Sequence, residues 1–133
     1  MARPRRDPPE HLRAPVRAFA DVAARLERAK RELLRAIPGA RSAGVPLAEA
    51  LLAYREGLEE AAARMAEWRA PEIEAEWIAC ATGIESARAA EEAVRLRGGV
   101  FPHDALLFTL QDLIAPLGPF EDAARRFRQL RSG

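Results

Sequence analysis

Four stretches of this chain repeat apolar residues at alternating steps of three and four. The first runs Val16, Phe19, Ala23, Leu26, Lys30, Leu33, Ile37, and the second Leu47, Leu51, Tyr54, Leu58, Ala61, Met65, Trp68. The third runs Ile73, Trp77, Cys80, Ile84, Ala87, Glu91, Val94, and the fourth Leu106, Leu110, Leu113, Leu117, Phe120, Ala124, Phe127. That period places each set on one stripe of an α-helix, and such a stripe must find something to cover it. β-branched and aromatic residues never alternate over a useful length, so strands are not expected. The spacing predicts helices over 10–37, 46–69, 71–97 and 103–131. Leu34, Leu52, Ile78, Leu107 and Ile114 lie beside the stripes and are expected to widen them.

Proline and glycine supply the punctuation. "IPGARSAGVP" separates the first two helices, Pro71 with Glu72 and Glu74 reads as a helix's first turn, and "RGGVFPHD" is a turn into the fourth. Pro116 and Pro119 interrupt the fourth helix without shifting its stripe, which predicts a bend or break there. In antiparallel neighbours the stripes come level: Leu33 with Leu51, Lys30 with Tyr54, Leu26 with Leu58, and Val94 with Leu106. The predicted fold is all-α, an up-down-up-down antiparallel four-helix bundle. Residues 1–8 read as a flexible basic arm and 9–133 as the single domain, a length that suits one core. The same register sets Gly57 opposite Gly83.

Charge is distributed unevenly. Residues 1–45 carry ten Arg and one Lys against five acidic residues, and residues 46–97 carry six Arg against eleven, within a chain of net charge +1. A basic first helix beside two acidic ones reads as complementary faces of one bundle, or as a device that orients two copies in an antiparallel dimer. Basic segments such as "ARRFRQLR" raise nucleic acid as a partner, but a pI near 8 is low for such a domain, and Glu121 and Asp122 stand one turn before Arg125 and Arg126. Nucleic acid is therefore not expected. Neither is a membrane, since no apolar run approaches the roughly 20 residues of a spanning helix. The start, "MARPRRDPPEHLRAP", lacks the apolar core of a secretory signal, and a single cysteine fits a reducing cytoplasm.

Lys30 is the only lysine. It and Glu91 are the only charged members of the four stripes, about one turn apart on the predicted register, with Tyr54 level with Lys30. Three readings stay open: Lys30 reaches the edge of its stripe or pairs with Glu27, it forms a buried register-setting pair with Glu91 beside the Tyr54 hydroxyl, or the three line a ligand pocket.

Motifs that carry chemistry are few. His11 and His103 have no carboxylate three or four residues away on one helical face, so the ligand pairs of a di-iron bundle are missing, and no other metal or cofactor motif occurs. Cys80 sits on a stripe, as a buried inert thiol would. Trp68 and Trp77 flank the turn between the second and third helices and are expected to cap the core there. Phe101 and Phe108 fall off the fourth stripe and mark a candidate partner surface.

"AAEEAVRLRGGVFPHDALLFTLQDL", residues 89–113, resembles the helix–loop–helix of HEPN domains. These are four-helix bundles that include RNases and nucleotide-linked toxins, and the resemblance implies Arg97 and His103 as catalytic residues acting on RNA or nucleotides. It covers about a fifth of the chain and departs from the pattern at Gly98, where a polar residue is usual. The favoured expectation is a cytoplasmic protein-contact or assembly module without catalysis or cofactor, working as a homo-oligomer or on a heterologous protein partner. The HEPN-like activity is the alternative.

Overall fold

The structure, a computed structural model, describes residues 7–39, 45–98 and 106–132. A 3-10 turn over Glu10–Leu12 leads into α1, Arg13–Gly39. Helix α2 spans Val45–Ala63 and continues as a 3-10 turn over Met65–Trp68. A second such turn, Pro71–Ile73, opens α3, Glu74–Leu96. The fourth leg comprises α4, Leu106–Ile114, a 3-10 turn over Ala115–Leu117, and α5, Pro119–Ser132. The described residues thus form the expected four-helix bundle, with the fourth helix broken where Pro116 and Pro119 interrupt it. The side chains of Ile37, Leu106 and Leu107, the first six residues of the N-terminal arm, Phe101 and His103 lie outside the described residues.

Ion pairs fix the antiparallel order of the first two legs. Arg25 of α1 meets Glu60 of α2, and Arg64, just beyond α2, lies 3.8 Å from Asp21. Numbers climb on one helix as they fall on the other. The turn into α3 is held by Trp77, whose indole N–H donates to the Met65 carbonyl at 2.7 Å. In the last pair of legs Arg126 of α5 donates to the Glu72 carbonyl at 3.3 Å, at the start of the third leg.

The stripes form the core. Every member of the second stripe is buried, as are Ile73, Cys80, Ile84, Ala87, Glu91 and Val94 of the third. Leu113, Leu117 and Phe120 stay buried across the break, which is how the fourth stripe keeps its phase. At one end Trp68, fully buried, meets Phe19 edge-on with ring centroids 5.0 Å apart, and Phe120 and Phe127 close the cluster. Such ring pairs add about 0.5–1.5 kcal/mol each beyond burial. The Trp68 indole N–H has no hydrogen-bond partner among the described residues, a cost of about 1–3 kcal/mol that the aromatic cluster must offset.

Several expectations change. The second helix stops at Ala63 rather than 69, with no glycine or proline to announce it. There the Arg64 N–H is shared between the carbonyls of Glu60 at 3.0 Å and Ala61 at 3.3 Å, tightening the chain into a 3-10 turn. Residues three apart share a face in that geometry, so Met65 and Trp68 both point inward. Leu34, Leu52 and Ile78 do not widen the core; they are 43%, 44% and 51% exposed. A second stripe of small residues, Ala18, Ala29 and Ala36, is buried instead. Gly57 and Gly83 do not face one another. A β-carbon on Gly57 would rest 3.6 Å from that of Ala29 on α1, whereas one on Gly83 would fall 2.0 Å from the Pro116 carbonyl oxygen. The first glycine lets α1 and α2 close up; the second lets the broken leg lie directly on the α3 backbone.

Candidate functional site

Lys30, Tyr54 and Glu91 are all placed, but each takes a different partner. The Lys30 ammonium lies 2.8 Å from a Glu27 carboxylate oxygen on its own helix, and Arg31 approaches the other oxygen at 3.5 Å. These cations hold the Glu27 carboxyl below its ordinary pKa, with the Lys30 hydrogen bond the largest cause. Glu91 is buried, and Arg95, one turn along α3, donates to it at 3.3 Å. Tyr54 is fully buried and donates its hydroxyl to the Leu113 carbonyl. Burial pushes its phenol pKa upward, so the proton stays on the oxygen that needs it as a donor.

Lys30 does border a groove. Ala23 and Leu26 of α1 face Ile114, Leu117 and Phe120 across a space of about 230 Å³, with Glu27 and Glu121 also on its wall. The two sides meet through long side chains: Phe19 of α1 stacks on Phe120 with centroids 6.1 Å apart. The volume falls below the roughly 300 Å³ at which pockets begin to enclose a ligand. The ammonium beside it already has its carboxylate.

Arg97 ends α3. The Arg97 N–H bonds the Val94 carbonyl at 3.1 Å, and the Gly98 N–H bonds that of Arg95 at 3.0 Å. Gly98 adopts φ +82°, the left-handed backbone that closes many helices and that a side chain disfavours. The glycine that departs from the HEPN pattern is therefore the residue that terminates the helix. The exposed Arg97 side chain folds back, its Nε donating to the Ala93 carbonyl at 3.2 Å. His103, the other residue of that pair, lies outside the described residues. Cys80 is fully buried, and burial pushes its thiol up to about 12, leaving little thiolate near neutral pH. Among the described residues no group of three or more His, Cys, Asp or Glu side chains is placed to hold a metal ion.

The feature that remains is apolar and exposed. Phe108, on the outer face of α4, is 71% exposed, and Leu96, in the last turn of α3, is 77% exposed. The Gly83–Pro116 contact sets the register between these legs. Phe108, about two turns before Pro116, therefore comes level with the turn of α3 that precedes Leu96. On the Pro116 side of Phe108 an open groove between the two legs is lined by Ala89 and Ala90 of α3 and by Gln111, Asp112 and Ala115 of the fourth leg. Leu96 was not singled out from the sequence, although its position two residues past stripe member Val94 was the available sign that it points outward.

Comparisons with known proteins add no relationship: no protein-family model matches the chain, and neither a curated protein nor a solved structure does. Nor does any helix among the described residues have the length and apolarity to cross a membrane.

Proposed function

We propose that this chain is a protein-contact module: a helical bundle that works by docking in an assembly and does no chemistry of its own. The observation that carries the reading is the exposure of Phe108 and Leu96, two large apolar side chains left more than two-thirds exposed on neighbouring legs. Water contact with such a patch is unfavourable, and covering it with a partner recovers about 25 cal/mol per Å² of apolar surface. Lys30, Tyr54, Glu91 and Arg97 are each engaged within the bundle, which fits a contact role for the surface. Cytoplasmic location belongs to the same proposal and rests on the lone cysteine.

The test is solution mass by light scattering across a concentration series, on the full chain and on Phe108→Ser combined with Leu96→Ser. The reading expects a species heavier than the 14.7 kDa monomer that shifts toward monomer in the double variant while helical circular dichroism is unchanged. An assembly of unaltered mass in the variant would remove this surface from the proposal.

A further inference from the structure

The outer face of the α1–α2 layer carries charge in an order that invites a second copy of the same face. On α1 the residues opposite the core run Arg13, Arg17, Ala20, Ala24, Arg28, Arg31 and Arg35, steps of three and four that keep them on one solvent stripe. The corresponding stripe on α2 includes Glu49, Leu52, Glu56, Glu59 and Ala63, all exposed. The Arg25–Glu60 and Asp21–Arg64 pairs set the level of one helix against the other. On that register Arg28 is level with Glu56, Arg35 with Glu49, and Arg17 with Glu67. Arg28, Arg35, Glu49 and Glu56 form no ion pair among the described residues.

We propose that a second copy of this chain docks on that face about a two-fold axis parallel to the helices, laying the α1 arginines of each copy on the α2 glutamates of the other. A rotation about such an axis exchanges left and right but leaves heights along the helices unchanged. Arg28 then meets Glu56 of the second copy and Arg35 meets Glu49, and each contact occurs twice, as an isologous interface requires. The other in-plane axis, perpendicular to the helices, would stack arginine stripe on arginine stripe, and like charges facing one another reject that arrangement. Ala20, Ala24 and Ala63 keep the face low toward one end, beside the Arg25–Glu60 and Asp21–Arg64 pairs, so the helices can approach there. Two helices side by side over this length offer about 30 Å by about 20 Å, near 600 Å² per copy, at the lower end of specific interfaces. A nucleic acid fits the arginines less well, because the adjoining helix exposes Glu49, Glu56 and Glu59 to the same approaching phosphates.

The inference rests on the assembly reading but uses a different face from Phe108 and Leu96, so each can fail alone. The experiment reverses the charges in two variants, Arg28→Glu with Arg35→Glu, and Glu49→Arg with Glu56→Arg, with circular dichroism as the check on folding. Each variant alone should dimerise at least about tenfold more weakly than the wild type, because like charges then face one another. Mixed one to one, the two should form a heterodimer, since both contacts become complementary again. The wild-type dimer should also weaken between about 50 mM and about 500 mM NaCl, as screened surface charges do. A dimer broken only by the serine variant would overturn this face and keep the assembly reading. A chain monomeric at every concentration would overturn this inference and, with it, self-assembly through either face. Duplex RNA or DNA bound by the wild type and lost in the arginine variant, without dimerisation, would assign the stripe to nucleic acid and overturn the proposal.

Discussion

The Tyr54 hydroxyl donates to the backbone carbonyl of Leu113, joining α2 to the end of α4 across the diagonal of the bundle. The carbonyls in the last turn of a helix run short of helical donors, and the Pro116 nitrogen has no hydrogen to offer. A phenol from the opposite leg supplies one. Tyr54→Phe keeps the ring and leaves the carbonyl buried without that donor, so it should cost about 1–3 kcal/mol. Urea unfolding monitored by circular dichroism measures the loss, and an unchanged midpoint would show that the bond contributes no net stability.

Two glycines that look alike in the sequence should respond in opposite directions. Gly83→Ala would place a β-carbon 2.0 Å from the Pro116 carbonyl oxygen, which neither backbone can yield without separating α3 from the break. Its cost should reach or exceed the about 1–3 kcal/mol typical of overpacking. Gly57→Ala would meet Ala29 at 3.6 Å and Leu26 at 3.8 Å, ordinary contact distances. There the better helix propensity of alanine, about 0.8–1 kcal/mol, should leave the protein as stable as before or more so. Melting temperatures of the two variants decide it, and equal shifts would refute the assigned contacts.

The Lys30–Glu27 pair should show itself in the pH dependence of stability, present at neutral pH and lost in acid. Lys30 is the largest cause of the lowered Glu27 pKa, and a carboxyl whose folded pKa is depressed stabilises the fold above its ordinary value of 4.5. That contribution is lost as pH falls below 4.5 through the lowered value. Lys30→Met removes the largest part of it and leaves the share of Arg31, so melting temperature against pH should become shallower on the acid limb. At neutral pH the change should stay within about 1 kcal/mol, since the Glu27 carboxylate is 46% exposed and solvent screens the pair. Identical acid limbs in the two proteins would remove Lys30 as the cause.

Large apolar residues at regular spacing were legible in the sequence because nothing else explains Leu47, Leu51, Tyr54 and Leu58 in that order, and all four are buried. The small stripe Ala18, Ala29 and Ala36 was not, since alanine is common on both faces of these helices. The partner of Lys30 was undecided for a geometric reason: Glu27 and Glu91 each stood about one turn away, and only the course of the side chain selects between them. The stop at Ala63 carried no signal because it is made by backbone tightening that no glycine or proline marks. At the candidate surface, Phe108 declared itself by falling off its stripe, whereas Leu34 and Leu52 stood beside theirs and looked like core.

The break at Pro116 and Pro119 divides responsibility for the fourth leg. Helix α4 is held by its packing on α3 and by the hydroxyl bond from Tyr54. Helix α5, by contrast, is anchored through Phe120 and Phe127 in the aromatic cluster. With its aromatic anchors confined to α5, the leg should open by halves, the amide hydrogens of α4, which carries Phe108, exchanging with solvent ahead of those of α5.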